Sequence, residues 1–170
     1  LKLLTQKPML YIVNVSEQEQ GIQTGELITK LGLSIPEKNV LLLNIQLEAE
    51  LIDLPSEEAA EYLQAVGLTE TGLNKFIRSS YALLNLISFF TSGEKETRAW
   101  TVFLGSKAPQ AAGVIHTDME KGFIRAEVVS YENFVAANGW TGAKERGFTR
   151  IEGKEYEMQD GDVCYFRFSV

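Results

Sequence analysis

The chain carries two hydrophobic rhythms, one in each half. Met9-Leu10-Tyr11-Ile12-Val13 and Val40-Leu41-Leu42-Leu43 are continuously apolar. Both runs are too short for helices and neither alternates, so they predict strands buried on both faces, as in a parallel sheet. Between them, residues 24–33 place Leu27, Ile28 and Leu31 at helical spacing and end near Gly32. The order strand, helix, strand is the one a right-handed crossover needs. A helical region follows. Residues 48–52 begin it, and Pro55 and Ser56 open a second helix with Glu57 and Glu58 in its first turn, where carboxylates suit the positive end of the dipole. Gly67 closes that helix. Thr69 is placed to cap a third, whose Leu73, Phe76, Ile77, Tyr81 and Leu84 make one apolar stripe.

From about residue 87 the period shortens. Arg98, Trp100, Val102 and Leu104 alternate with Ala99, Thr101 and Phe103, and Ile124, Ala126 and Val128 alternate with Arg125 and Glu127. At the end, Cys164, Phe166, Phe168 and Val170 share one face against Val163, Tyr165 and Arg167, just after an Asp160-Gly161 turn. Residues 108–114 are small and Ala-rich, with Pro109 suited to a helix first turn. Short strands on short helices predict a small α+β domain with a core of Trp100, Val102, Phe103, Ile124, Val128, Phe166 and Phe168. Phe89 and Phe90 read as core aromatics beside them.

Composition narrows the classes. At 170 residues the chain has room for one large domain or two small ones. The lone Cys164 leaves no intramolecular disulfide, and there is no signal peptide, which places the expectation in the cytoplasm. The longest apolar run, residues 81–90, is interrupted by Asn85 and Ser88 and falls short of the ~20 apolar residues that span a bilayer, so no membrane role is expected. A net charge of −7 argues against a polybasic nucleic-acid binder. The balance is uneven. Residues 1–86 carry 6 basic and 11 acidic side chains, and residues 87–170 carry 10 and 12. The second half could therefore hold a basic face, built from Lys107, Lys121, Arg125, Lys144 and Arg146, or simply a solvated mixed surface.

The candidate chemistry sits at the ends of the first two strands. Asn14-Val15-Ser16-Glu17 follows the first and Asn44-Ile45-Gln46 follows the second. Ligands of open parallel sheets bind beyond the carboxyl ends of the strands. The same first segment also reads as a capping box, Ser16-x-x-Glu19. The phosphate-binding pattern G-x-x-x-x-G-K-[ST] is absent, as is a following Asp for Mg²⁺, so no catalytic residue is assigned and the chain alone is not expected to hydrolyse a nucleotide. The single His116, beside Asp118, has no second His and the chain only one Cys, so no metal site is assigned.

Five segments carry a wider resemblance: TSGEKETRAW at 91–100, KAPQAAGVIHTD at 107–118, KGFIRAE at 121–127, EGKEY at 152–156 and QDGDV at 159–163. Together they resemble the TGS domain of the YchF-type, Obg-related P-loop nucleotide hydrolases of the TRAFAC class. The resemblance implies that residues 1–86 are the last portion of an α/β nucleotide-binding domain, and that residues 87–170 are a β-grasp, ubiquitin-like TGS domain. It implies that Asn14-x-x-Glu17 is the base-recognition motif. Asn14 would then buttress the two loops, Val15 would meet the base through its backbone, and Glu17 would lie at the base edge, with the backbone at Asn44, Ile45 and Gln46 reaching the base from the other side. It further implies ATP in preference to GTP, Mg²⁺ held by residues outside this chain, and the ribosome or ribosomal RNA as partner. The family's usual Ser-Ala-Lys after the second strand is Asn44-Ile45-Gln46 here. A chain beginning at Leu1 without Met fits the C-terminal part of such a protein. The rival expectation is a free-standing TGS-type module that binds RNA or protein and no nucleotide.

Overall fold

The computed structural model describes residues 3–19 and 21–169, with the side chain of Thr5 left aside. The chain divides into two compact units, Leu1–Leu84 and Asn85–Val170.

In the first unit, β1 (Tyr11–Asn14) and β2 (Val40–Leu43) pair in parallel, Tyr11 opposite Val40 and Asn14 opposite Leu43. Helix α1 (Thr24–Lys30) lies between them in sequence and ends on Gly32, whose φ of 64° is the left-handed conformation glycine supplies cheaply. Burial on both strand faces is not what these runs achieve. Ile12 is 46% exposed and Met9, expected in β1, precedes it and is 52% exposed. Each strand has one neighbour in a two-stranded sheet, and helices cover only part of it.

Helix α2 (Ile45–Ile52) begins three residues before the expected start, directly after β2. The reason is Asn44, whose Oδ1 accepts from Leu47 N at 3.1 Å and caps the helix. Helix α3 (Ser56–Ala65) follows Pro55 as expected, and Gly67, at φ 75°, ends it. Helix α4 (Gly72–Leu83) is capped by Thr71, not Thr69; Thr71 Oγ1 accepts from Asn74 N at 3.2 Å. The unit's core is small: Leu47, Leu51 and Leu63, with Leu54, Val66 and Leu68 packed around them. The apolar stripe of α4 is largely outside it, with Leu73, Ile77 and Leu84 each about half exposed.

The second unit is a five-stranded mixed sheet in the order β4-β3-β7-β5-β6. Strands β3 (Leu86–Ser92) and β4 (Thr97–Phe103) form a hairpin, and β3 pairs in parallel with β7 (Asp162–Phe168) through Phe90–Val163 and Thr91–Cys164. Strand β5 (Phe123–Ser130) lies antiparallel to β7 and to β6 (Arg150–Glu152). Helices α5 (Ala108–Ile115) and α6 (Thr117–Lys121) lie between β4 and β5 in sequence, and α7 (Tyr131–Ala136) and α8 (Trp140–Glu145) follow β5. The core is Ile87, Phe89, Val102, Ala108, Ala111, Ala112, Phe123, Ala126, Val128, Met158, Cys164 and Phe166.

Three expected core residues are elsewhere. Phe103 is 67% exposed because it lies at the end of the edge strand β4, on the face opposite Val102. Ile124 is 56% exposed because the β5–β7 register shifts between Phe123 and Arg125, which hands its place in the core to Phe123. Phe168 is 40% exposed at the end of β7, and Val170, assigned to the same face, lies outside the described residues. The second face of β5 is covered too. Val129 packs with Ala137 and Ala143 of the α7–α8 segment, so β5 buries side chains on both sides.

Candidate functional site

The two strand-end segments meet. Asn14, the last residue of β1, accepts a hydrogen bond at Oδ1 from Ile45 N at 3.2 Å, tying it to the first residue of α2. Parallel pairing of Asn14 with Leu43 sets the register that makes this possible. The Ile45 amide, offered above as a contact for a base, is therefore already engaged. The Val15 amide is also taken, donating to Leu43 O at 2.9 Å, and its side chain is buried. Val15 retains only its carbonyl for a ligand.

The capping alternative is present and uses a carboxylate other than Glu17. Glu19 Oε2 accepts from Ser16 N at 3.2 Å and from Ser16 Oγ at 2.9 Å across a short 3-10 turn, Glu17–Glu19. The bond from the Ser16 amide is the main influence holding the Glu19 carboxyl below its ordinary value. Glu17 is left out of this cap and is exposed.

A cavity of about 120 Å³ opens between these loops, lined by Ser16, Glu17, Asn44, Gln46, Leu47, Glu50, Tyr62 and Val66. Glu17, Asn44 and Gln46 are thus gathered in one place. Asn14 and Ile45 are not among its lining residues, and the Ile45 side chain lines a separate apolar groove of about 370 Å³ with Ile12, Leu73 and Phe76. Glu50 and Tyr62 were not singled out from sequence. Glu50 takes Gln46 Nε2 on Oε1 at 3.2 Å and the Tyr62 hydroxyl on Oε2 at 3.4 Å. Its charge raises the Tyr62 phenol above its usual range. The signal for Glu50 was its i, i+4 spacing from Gln46, which becomes meaningful once α2 is started at Ile45.

The basic candidates of the second unit separate by partner. Lys107 is paired with Glu155. Lys144 Nζ lies 2.9 Å from Glu127 Oε2, and Arg146 donates to Ala136 O at 3.0 Å. Lys121 and Arg125 make no side-chain hydrogen bond or ion pair with the described residues. Arg125 stands opposite Arg167 on β7, and Arg167 is neutralised by Glu127 at 3.2 Å and stacks over Tyr165 at 4.4 Å. His116 is exposed and accepts from Asp118 N at Nδ1, a turn contact between α5 and α6. Among the described residues no group of three or more metal-ligating side chains is assembled. Among the described residues no helix is long and apolar enough to cross a membrane.

Residues 86–169 match the family model YchF-GTPase_C, described as a protein of unknown function (DUF933). A Bacillus subtilis protein named ribosome-binding ATPase YchF is 49% identical over 173 residues, covering all of this chain and 47% of that protein. Its Haemophilus influenzae counterpart is 50% identical over 169 residues, covering 98% of this chain and 46% of that protein. The chain belongs to the YchF family and corresponds to its C-terminal region. The solved YchF GTPase of Schizosaccharomyces pombe superposes with a TM-score of 0.79 at 37% identity, covering 97% of this chain and 44% of that one. A GTP binding protein of Pyrococcus horikoshii matches at a TM-score of 0.62 and 20% identity, a likeness of fold alone. The chain spans close to half the length of the curated YchF relatives it matches.

Proposed function

We propose that this chain supplies the base-reading loops and the ribosome-docking domain of a YchF nucleotide hydrolase. The observation that carries the reading is the Asn14–Ile45 bond, which clamps the ends of two parallel strands and leaves Glu17, Asn44 and Gln46 around one cavity. Those residues fit a base. Glu17 offers carboxylate acceptors, and the cavity far exceeds the ~10–15 Å³ that one water needs. They do not fit a triphosphate, since the cavity holds two carboxylates and no cation. In the whole protein the nucleotide would be ATP or GTP with Mg²⁺, and its phosphates and metal would be held by residues outside this chain. The bound nucleotide would supply the phosphoanhydride to be cleaved. This chain would hold the base, with Asn14 as brace and Glu17 at the base edge.

In the same reading the second unit is the TGS domain. Its sheet order, with two central parallel strands flanked by antiparallel partners, suits a β-grasp fold. Ribosome binding and ATPase activity are named for the relatives, and a ribosome-associated role carries a cytoplasmic location with it. Of the five basic candidates, Lys121 and Arg125 are the two left to meet ribosomal RNA, and Arg125 adds its charge beside the neutralised Arg167.

The test is nucleotide affinity of the full-length protein. Glu17→Ala removes a hydrogen bond to a charged acceptor, worth about 1.5–3 kcal/mol, so ATP should bind roughly tenfold or more weakly. Unchanged affinity with the fold intact would reduce the segment to helix capping by Ser16 and Glu19.

A further inference from the structure

We infer that Gln46, held in one orientation by Glu50, is the residue that selects a 6-amino purine over a 6-oxo purine; the inference rests on the base-site reading above. The argument is one of donors and acceptors. An ionised carboxylate can only accept hydrogen bonds. Glu50 faces Gln46 from one helical turn away on α2, and its Oε1 takes the amide nitrogen at 3.2 Å. Its other oxygen is engaged by the hydroxyl of Tyr62 on α3, which holds the carboxylate from a second helix. The Gln46 amide therefore cannot turn its NH₂ away without losing that bond. Its carbonyl, Oε1, is the end left for the cavity.

Across the same cavity stands Glu17, which among the described residues has no side-chain partner and also only accepts. Asn44 spends its own Oδ1 on the Leu47 amide, so it adds no third acceptor and has only its NH₂ donors to offer a ligand. A base edge entering between Glu17 and Gln46 meets two acceptors. The exocyclic amino group of adenine carries two N–H donors and satisfies both. Guanine or hypoxanthine could still offer Glu17 its N1–H, but its 6-carbonyl would set a lone pair against the Gln46 carbonyl, a repulsive pairing that discriminates as the attractive one does. Glu50 is thus a positioning residue and Gln46 the specificity residue.

The experiment measures equilibrium binding of ATP, GTP and inosine triphosphate to the full-length protein, wild type and variants, with circular dichroism to confirm folding. Inosine triphosphate differs from ATP in carrying the 6-oxo group with its accompanying N1–H, and lacks the 2-amino group of GTP, so it tests the 1,6-edge of the base without the 2-position. Wild type should prefer ATP to inosine triphosphate. Gln46→Leu should lower ATP affinity roughly two- to tenfold, the worth of one neutral hydrogen bond, and leave inosine triphosphate unchanged or tighter. Glu50→Gln frees the Gln46 amide to present either end, so it should compress the ATP-to-inosine-triphosphate ratio with little change in thermal unfolding. A merely structural role for Glu50 would weaken all three nucleotides together. Glu17→Ala in the same assay keeps the two readings apart. If Glu17→Ala weakens ATP while Gln46→Leu leaves the ratio at its wild-type value, the selectivity inference is overturned and the base site stands. If Glu17→Ala changes nothing, the base site itself falls. A wild-type protein without preference for ATP over inosine triphosphate also overturns the inference.

Discussion

Glu127 shows how a charge is made safe inside the second unit. Its side chain is 10% exposed and faces Lys144 at 2.9 Å and Arg167 at 3.2 Å. The Lys144 hydrogen bond, with Arg167 assisting, holds its carboxyl below the ordinary carboxylate range against the opposing pull of burial. A carboxyl lowered in the folded state releases its proton more readily there than in the unfolded chain. Its stabilising contribution is therefore complete above the unfolded value near ~4.3 and is lost as pH falls through the folded value. Glu127→Gln should cost about 1–3 kcal/mol near neutral pH, and it should flatten the acid side of the melting-temperature profile measured from pH ~6 downward. A variant whose acid limb matches wild type would assign that limb to other carboxyls. Elsewhere in the same unit, burial chiefly pushes the Tyr156 phenol well above its usual range, helped by its hydrogen bond to Asp162 at 2.8 Å, and keeps the Cys164 thiol protonated and unreactive.

Among elements, β7 carries the densest requirements. Phe166 is 6% exposed and meets Phe89 edge-on at 5.9 Å and Phe123 at 6.2 Å. Phe166→Ala removes most of a fully packed ring and should cost about 3–5 kcal/mol in denaturant unfolding. The end of the same strand leans on a glycine. Gly122 O accepts from Ser169 N at 2.9 Å, and a Cβ built at Gly122 would lie 1.8 Å from the Ser169 carbonyl oxygen. That neighbour is backbone and cannot swing aside, so Gly122→Ala should cost about 1–3 kcal/mol, and amide exchange should quicken first at residues 167–169. Protection unchanged there would mean the chain end relaxes freely. Helix α4 depends on a comparable local device. Its first amides, Gly72 N and Leu73 N, donate to the Glu48 carboxylate at 2.6 Å and 3.2 Å, so a side chain on α2 completes the cap that Thr71 begins.

At the scale of the molecule, the two units differ in how much core each owns. Twelve buried residues form the main cluster of the second unit, and three form that of the first. A 85–170 segment should therefore fold alone and give a dispersed NMR spectrum, whereas the first unit leaves an apolar groove of about 370 Å³ open beside Ile12, Ile52 and Phe76. A collapsed, poorly dispersed spectrum for 85–170 would show that its core needs the rest of the chain. The chain by itself should turn over neither ATP nor GTP, because the sequence has no phosphate loop. Turnover abolished by a substitution within these residues would overturn that. Charge reversal at Lys121 with Arg125 should weaken co-sedimentation of the full-length protein with ribosomes, and added salt should weaken it further through counterion release. Reversal at Lys144 with Arg146 should act mainly on stability, since both are committed to partners within the unit.

Local chemistry in the sequence determined β2, the start of α3 after Pro55 and the left-handed stops at Gly32 and Gly67, because each depends on one residue's own backbone preference or on a short apolar run. It also placed Glu17, Asn44 and Gln46 at strand ends, where the structure gathers them. Tertiary structure decided the rest. The capping of α2 by Asn44 moved Ile45 and Gln46 from loop to helix, and only then did Glu50 come within reach of Gln46. The register shift in β5 exchanged Ile124 for Phe123 in the core, since a bulge resets which side of the strand faces inward and leaves no trace in the alternation itself. The engagement of the Val15 and Ile45 amides follows from the pairing of β1 with β2, a contact between residues some thirty positions apart, which no local pattern records.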